Sequence, residues 1–510
     1  MMKPDTGTRP PEEIELKLAL PGSDPASLEK RLSSTPALAR RTPDHLALHN
    51  IYYDTPDQRL NQARIALRLR RVGSEANPDW LQTLKTSSRS DSALSQRGEW
   101  ETSVPGAALE PQALADTPWS DFDPDGKVFK ALTPCFVTEF KRTRWTVRKR
   151  DGSVIEVALD IGHIQAGDKS APLCELELEL LAGQPAALFE LARQISHSIA
   201  VIPETRSKAV RGYALAQDAL NGPLRAQPPK LTGHMPLPEA TQCVLREMFC
   251  QFTTNLHALL ASDEPEALHQ ARVGWRRFRS ALRLFKPTLN PEALPPWQPL
   301  HTLLTVMGEL RDLDVARTET LPPLAEAYTA ADTRREAHWQ AMVQAFTQAA
   351  RLQRTAVRYA LQTPAAGAAL LAITQWLETL PALLQAPGET PAKHQRALRR
   401  WARSRMASLH AKLKTALKDA SQPEAQHRAR ILAKRMRYNL ETLQPLLPKR
   451  RSQRWYRQAL ALQTEIGRSR DVLQASVLAA KLEADPGLAE FLRGIAAGQA
   501  LAAVKKPVGS

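Results

Sequence analysis

The sequence is poor in the features that tie a chain to an oxidising or lipid environment. Cysteine is scarce: Cys135, Cys174, Cys243 and Cys250 are the four in 510 residues, and no two have the spacing of a zinc pair. That argues against a cysteine zinc site and predicts buried or idle thiols in a reducing cytoplasm. Long apolar runs are missing as well. The richest, Ala365 to Leu384, is broken by Thr374, Gln375, Glu378 and Pro381. The first residues lack the basic segment and apolar run of a secretory signal, so neither export nor membrane spanning is expected. Aromatic residues are only 5% of the chain, which leaves few platforms for stacking nucleobases.

What is present suffices for several folded units. Apolar residues make up 43% and charged residues 24%, enough to bury real cores, and at about 150 residues per domain the length suggests two to four domains. The net charge of +16 is unevenly spread: residues 1–225 carry 29 Lys and Arg against 30 Asp and Glu, whereas residues 226–510 carry 40 against 23. The excess positive charge lies wholly in the second half, which expects a polyanionic partner.

The texture changes at the same place. Up to about residue 215, short segments alternate with period two, as in Glu13-Ile14-Glu15-Leu16-Lys17-Leu18 and Cys174 to Leu180, and helices are few, the clearest being 186–198. Pro223, Pro228, Pro229, Pro236 and Pro238 then mark a linker. Beyond it, Ala-, Leu-, Arg- and Gln-rich segments with helical periodicity run to about residue 500. The fold class is α+β and multidomain: strands first, an all-helical half second.

The strands have an unusual polar face. Glu13, Glu15 and Lys17 share one side of a strand, as do Arg68 and Arg70, Glu99 and Glu101, Arg142 and Arg144, Glu156 and Asp160, and Glu175, Glu177 and Glu179. Closing antiparallel strands into a barrel brings these faces into one lumen. Crowded carboxylates there need a cation between them, and a hard ion such as Mg²⁺ or Mn²⁺ suits oxygen ligands. Arginine and lysine bind phosphate oxygens instead. A lumen offering both fits a metal-complexed chain of phosphates. The alternative is a sandwich whose charged faces are merely solvated.

Taken in order, Glu13-x-Glu15-x-Lys17, Tyr52-Tyr53-Asp54-Thr55-Pro56, Arg68-x-Arg70, Lys85, Arg97-x-Glu99, Asp160-x-Gly162, Glu175-x-Glu177 and Ser207-Lys208-x-x-Arg211-Gly212-Tyr213 resemble the CYTH domain of the triphosphate tunnel metalloenzymes. The resemblance covers residues 12–215 and implies a closed eight-stranded antiparallel tunnel that cleaves triphosphates with Mg²⁺ or Mn²⁺. It implies metal binding by Glu13, Glu15, Asp160, Glu175, Glu177 and Glu179. It also implies substrate binding by Lys17, Arg68, Arg70, Lys85, Arg142, Arg144 and Lys208, and catalytic roles for Lys17, Glu99 and Asp160. Which of Arg142 and Arg144 points inward is left open, as is whether Glu179 sits at a solvated mouth.

The second half repeats itself. Glu266 to Pro287 aligns without gaps on Glu424 to Pro445 with nine identities in 22 positions, and Gly308-x-x-Arg311-Asp312 echoes Gly467-x-x-Arg470-Asp471. Two related helical bundles are the natural product of such a duplication. At 100° per residue, His269, Arg272, Arg276, Arg279 and Arg283 form one stripe, opposite Ala271, Trp275, Phe278, Leu282 and Phe285. The second copy sets out His427, Arg430, Lys434 and Arg437 likewise, with Glu441 in place of the last cation. Asp312 and Asp471 read as salt-bridge partners of stripe arginines. A merely solvated basic face is the plain alternative.

These repeats resemble the CHAD domain, over residues 239–500, with 216–238 as linker; the resemblance implies binding of inorganic polyphosphate by both stripes. The whole is similar to bacterial inorganic triphosphatases of the CYTH-CHAD type. The expected function is metal-dependent hydrolysis of inorganic triphosphate to pyrophosphate and phosphate, in a cytoplasmic protein associated with polyphosphate, with nucleic acid disfavoured as a partner. Three alternatives stay open: an organic triphosphate such as thiamine triphosphate or ATP as the substrate, hydrolysed or cyclised; a non-catalytic polyphosphate scaffold; and a nucleic-acid binder.

Overall fold

The structure, a computed structural model, describes residues 12–73, 76, 78–86, 92–233, 235–384, 391–418 and 423–505, with backbone alone described at 291, 391–396, 423–427, 463–469, 500 and 502–505. Strands β1 (Glu12–Ala19), β2 (Asp44–Asp54), β3 (Ala66–Val72), β4 (Asp79–Lys85), β5 (Leu94–Val104), β6 (Thr133–Arg148), β7 (Val154–Ala166) and β8 (Lys169–Ala182) pair in the order β5-β4-β3-β2-β6-β7-β8-β1. Pairing of β1 with β5 closes this antiparallel sheet into an eight-stranded barrel. A two-residue strand, β9 (Ile202–Pro203), adds to β1. The short helices of this half are α1 (Pro25–Ser33), α2 (Arg59–Gln62), α3 (Trp119–Phe122), α4 (Lys127–Lys130), α5 (Ala186–Ser196) and α6 (Lys208–Ala216).

Alternation sends the charged set of each strand to the lumen, and on the same strand faces Leu48, Tyr52, Phe140 and Leu173 form an apolar cluster with Tyr213 and Leu215 of α6. Leu16, Leu18, Trp145, Val157, Leu176 and Leu178 face outward and form a core with Leu28 and Leu32 of α1 and Leu188 and Ile195 of α5. A separate apolar cluster joins Leu67 and Leu84 to Trp119 and Val128. Helix α6 lies against β6, β7 and β8. The Ser207 hydroxyl caps it by accepting from the Val210 amide, and Lys208 stands at its first turn.

The second half comprises α7 (Leu237–Ala261), α8 (Pro265–Phe285), α9 (His301–Val315), α10 (Ala325–Thr329), α11 (Thr333–Leu361), α12 (Pro364–Leu384), α13 (Pro391–Lys418), α14 (Pro423–Leu443), α15 (Lys449–Lys481) and α16 (Pro486–Lys505). The duplicated segments are α8 and α14, which touch where Ser280 bonds Asn439 at 3.1 Å. Ala271, Trp275, Phe278, Leu282 and Phe285 are buried, as the helical arithmetic requires, while Arg276 and Arg283 are exposed.

Two segments behave differently from their sequence texture. The proline-rich stretch is packed along α7: Leu224 exchanges hydrogen bonds with the Asn255 side chain at 3.0 and 2.9 Å, and the Gln227 carbonyl accepts from Arg277 at 3.1 Å. Helix α12 is long and apolar enough to cross a membrane, yet half of its most apolar window is buried in the fold. It packs between α7 and the α5 side of the barrel, and Leu371 joins the barrel's outer core. Gly367 permits this, since a Cβ there would stand 2.4 Å from the Val201 carbonyl oxygen.

Candidate active site

Strand register places opposite charges side by side inside the barrel. Lys17 lies across from Glu177, Lys85 from Glu99, Arg142 from Asp160, and Asp160 from Glu175. The side chains meet accordingly. Lys208 Nζ enters from α6 and lies 2.7 Å from Asp160, 2.5 Å from Glu175 and 2.9 Å from Glu177. Arg142 forks onto both Asp160 oxygens at 2.7 Å and reaches Glu177 at 2.6 Å, and Arg211 takes the other oxygen of Glu175 at 2.8 Å. On β1, the neighbour of β8, Glu13 accepts from Lys85 at 2.9 Å and Arg97 at 3.0 Å. Glu15 accepts from Lys17, from Arg97 at 2.5 Å and from Ser95 at 3.0 Å. Arg68 lies 3.4 Å from Glu99, and Arg70 donates to Asn50 at 2.7 Å.

These groups line or back a cavity of about 440 Å³. Lys17, Arg68, Arg70, Lys85, Arg97, Arg142, Arg144 and Lys208 border it together with Glu13, Glu99, Glu101, Glu156, Glu177 and Glu179. Glu15, Asp160 and Glu175 are 3%, 0% and 1% exposed and sit behind this lining. Within this network each charge is set by its neighbours. Burial favours the neutral acid in Glu177, but Lys208, Arg142 and Lys17 overcome it and hold the carboxyl well below its ordinary range. Glu13 is held low in the same way by Lys85 and Arg97. Burial followed by Glu13 pushes Glu179 up to about 7, and burial followed by Arg68 and Arg142 brings Arg70 down to about 10. Lys208 is raised despite burial because three carboxylates surround it.

The sequence candidates of the barrel thus converge, and two questions left open by the sequence are answered. Arg142 and Arg144 both border the cavity, Arg142 deep within it and Arg144 nearer the rim, where it pairs with Asp44. Glu179 borders the cavity too, and its carboxyl is largely shielded from solvent. Asp160, Glu175 and Glu177 bring ligand oxygens within 4.8 Å of one another. Glu13 and Glu15 lie on the adjacent strand β1, within the Lys85 and Arg97 pairs. Two residues given no role from sequence are central: Arg97 and Arg211. Arg97 shares a strand face with Glu99, and Arg211 follows Lys208 by one helical turn, so periodicity pointed to both.

In the helical half the two stripes converge. Burial, then Arg430, Arg276 and Arg470, lowers Lys434 to about 8, which places the Arg276 of one copy beside the cations of the other. Burial, then Arg276, Asp312 and Arg311, likewise bears on Arg272. Arg279 lies over the Trp297 ring at 5.8 Å, and Arg437 is 3.7 Å from Glu441. His269 is half-buried, and burial followed by Arg311 lowers its proton affinity. The His427 side chain lies outside the described residues. The expected ion pairs of Asp312 and Asp471 are not made: among the described residues neither has a cation within 4.0 Å, and Asp312 accepts instead from Gln474 at 3.3 Å. Both carboxyls are raised by burial first, with Arg272 and Arg430 acting against it from farther off.

Comparison with known proteins matches this division. The model of the CYTH domain covers residues 11–213 and that of the CHAD domain residues 243–480. An inorganic triphosphatase of Haemophilus influenzae is 33% identical over 205 residues, which are 40% of this chain and 55% of that protein, so the chain spans about half the length of the curated relative it matches. Among solved structures, the CHAD domain from the plant Ricinus communis is 27% identical, with a TM-score of 0.46 over 55% of this chain and 91% of its own. A Hippeastrum adenylyl-cyclase candidate described as having a dominant triphosphatase activity is 19% identical, with a TM-score of 0.28 over 40% of this chain and 95% of its own.

Proposed function

Because the chain is a CYTH domain followed by a CHAD domain, we propose that its barrel hydrolyses inorganic triphosphate to pyrophosphate and phosphate and that its helical half binds inorganic polyphosphate. The observation that carries the first reading is the cavity of about 440 Å³, which eight Lys and Arg side chains border together with six carboxylates. Its apolar lining is aliphatic, Leu46, Leu48, Val72 and Leu81 beside Ala66 and Ala209, with Tyr52 the single aromatic among the described residues. That favours bare phosphates over a nucleoside or thiamine triphosphate, whose ring would need a stacking surface.

The donor set fits a divalent cation: Asp160, Glu175 and Glu177 gather hard oxygen ligands within 4.8 Å, with Glu13, Glu15 and Glu179 as the further carboxylates in reach of the same lumen. Mg²⁺ or Mn²⁺ held there would neutralise phosphate charge and polarise the attacking water. The chain's own groups do the rest. Arg68, Arg70, Lys85, Arg142, Arg144 and Lys208 hold the non-bridging oxygens, Arg97 adding its fork, so that water and leaving group stand in line. Water oxygen bonds to a terminal phosphorus as the P–O bond to the pyrophosphate breaks. Glu99, on the cavity wall, accepts the water proton, Asp160 orients Arg142 and Lys208, and Lys17 stabilises the charge on the leaving oxygen.

The polyphosphate reading rests on the meeting of Arg276 with Arg430, Lys434 and Arg470, a concentration of positive charge that a long polyanion relieves. Such a protein would work in the cytoplasm beside polyphosphate. The test is phosphate release from triphosphate, ATP, thiamine triphosphate and long polyphosphate, each with Mg²⁺, Mn²⁺ or chelator. Release confined to bare triphosphate and abolished by chelation supports the proposal; metal-independent release, or a preference for ATP, overturns it.

A further inference from the structure

The strand that carries Glu13, Glu15 and Lys17 is flanked by two segments, and the helical domain holds both. On one side β1 pairs with β5 from Glu12 opposite Gly98 to Leu16 opposite Leu94. Just before β5, the Ser92 hydroxyl donates to one oxygen of Glu378 on α12 at 2.6 Å, and the other oxygen takes Arg246 of α7 at 2.6 Å. The next carbonyl, that of Ala93, accepts the Lys17 amide at 3.0 Å, and Ser95 donates to Glu15 at 3.0 Å. On the other side β9 pairs with Leu18 and Ala19. There His257 of α7, buried, lies with Nε2 3.0 Å from the Pro203 carbonyl and donates to it. The following amide, that of Glu204, donates to the Lys17 carbonyl at 2.9 Å. Both backbone groups of Lys17 are therefore fixed by residues that adjoin a contact from the helical domain.

We propose that Glu378 and His257 are positioning residues for the tunnel: through Ser92-Ala93 and Pro203-Glu204 they set the backbone of Lys17, and with it the place of Lys17 and Glu15 among the phosphate-binding groups. This rests on the triphosphatase reading of the barrel and gives the helical half a second role, beyond anion capture. A hydrogen bond of this kind acts by geometry. A small displacement of a binding group costs rate or affinity out of proportion to the energy of the bond itself.

The test uses the full chain. Ser92→Ala removes one hydroxyl. Glu378→Gln keeps an acceptor for Ser92 and loses the charge facing Arg246, and Glu378→Ala loses both. Each variant is measured for triphosphate KM and kcat, thermal midpoint, and amide exchange of the peptide spanning residues 12–19. Ser92→Ala and Glu378→Ala should speed exchange in that peptide and lower kcat/KM by roughly three- to tenfold, whereas Glu378→Gln should stay near the parent in both. If Ser92→Ala leaves exchange and kcat/KM unchanged, or if Glu378→Gln is as impaired as Glu378→Ala, the positioning role is overturned and Glu378 merely docks the domains. Should Glu378→Ala fail to fold, the other two variants decide the matter. A parent protein that releases no phosphate would sink the triphosphatase reading alone, because amide exchange reports the latch without catalysis.

Discussion

The two halves place charge in opposite ways. In the barrel one apolar set points outward beneath α1 and α5, and the ionic groups are enclosed: Asp160 is 0% exposed, Glu175 1% and Lys17 4%. An enclosed charge must be compensated before any ligand arrives: Asp160, Glu175 and Glu177 share Lys208, Asp160 and Glu177 share Arg142, and Glu13 and Glu15 share Arg97. In the helical half the core is inside and the cations are outside, where burial, and then the charges of Arg276 and Arg470, lower the proton affinity of Lys434 and Arg430. The first arrangement suits a short ligand that exchanges partners with a preformed network. The second suits a long polyanion that neutralises a surface, and its strength should fall with salt.

That contrast predicts two losses that do not overlap. Replacing Glu13 and Glu15 by Gln removes two negative charges, and one acceptor oxygen at each position, from the network that holds Lys85, Arg97 and Lys17. Triphosphate hydrolysis should fall by roughly a thousandfold, the scale of lost electrostatic stabilisation in an enclosed site, while retention on immobilised long-chain polyphosphate stays at the parental level. Reversing charge with Arg276→Glu and Lys434→Glu should do the converse, weakening polyphosphate binding by about thirty- to a hundredfold at moderate salt and leaving kcat/KM for triphosphate intact. Isothermal titration and phosphate release on the same preparations read both. A variant that lost both activities together would erase the distinction drawn here.

A third change asks whether the halves are separable at all. Gly367→Ala inserts a methyl group 2.4 Å from the Val201 carbonyl oxygen, where α12 meets the segment leading into β9. Backbone faces backbone there, so relief requires moving α12 away from the barrel, at about 1–3 kcal/mol. The thermal midpoint should drop and the barrel and helical signals should still melt together. Two separated transitions would mean that the interface is dispensable to each half.

Much of the site could be read from period-two alternation, because a closed barrel forces the polar set of every strand into one lumen. Arg68, Glu99, Arg142 and Glu177 needed no more than that, whereas Lys85 came from the family resemblance. Periodicity also carried Arg97 and Arg211, but assigning them a role required knowing that β5 closes on β1 and that α6 lies across β6, β7 and β8. The stripes of α8 followed from helical angles. Contacts between distant segments were illegible. Glu378 reads in the sequence as an interruption of an apolar run, yet it bonds Ser92, 286 residues away in the chain. Asp312 was expected to hold a stripe arginine. It accepts from Gln474 of the other copy instead, a choice made by how the bundles dock rather than by the repeat itself.

The smallest effect is a matter of protons. A lysine ordinarily titrates near 10.4, but burial and then Arg430, Arg276 and Arg470 bring Lys434 down to about 8. It is charged below that pH and neutral above it, so the convergent surface loses one positive charge as pH rises from 7 to 9, while its arginines lose none. Polyphosphate affinity should weaken over that interval by roughly threefold, the worth of about one partly exposed ion pair. A bound polyanion raises the lysine's proton affinity again, so binding at pH 8.5 should take up protons, visible as a dependence of the titration heat on the buffer's ionisation enthalpy. Lys434→Arg should flatten the pH dependence and abolish the proton uptake. A parent protein whose affinity is level from pH 7 to 9 would show that Lys434 does not face the ligand, and the convergence of the two copies would then have to be explained without it.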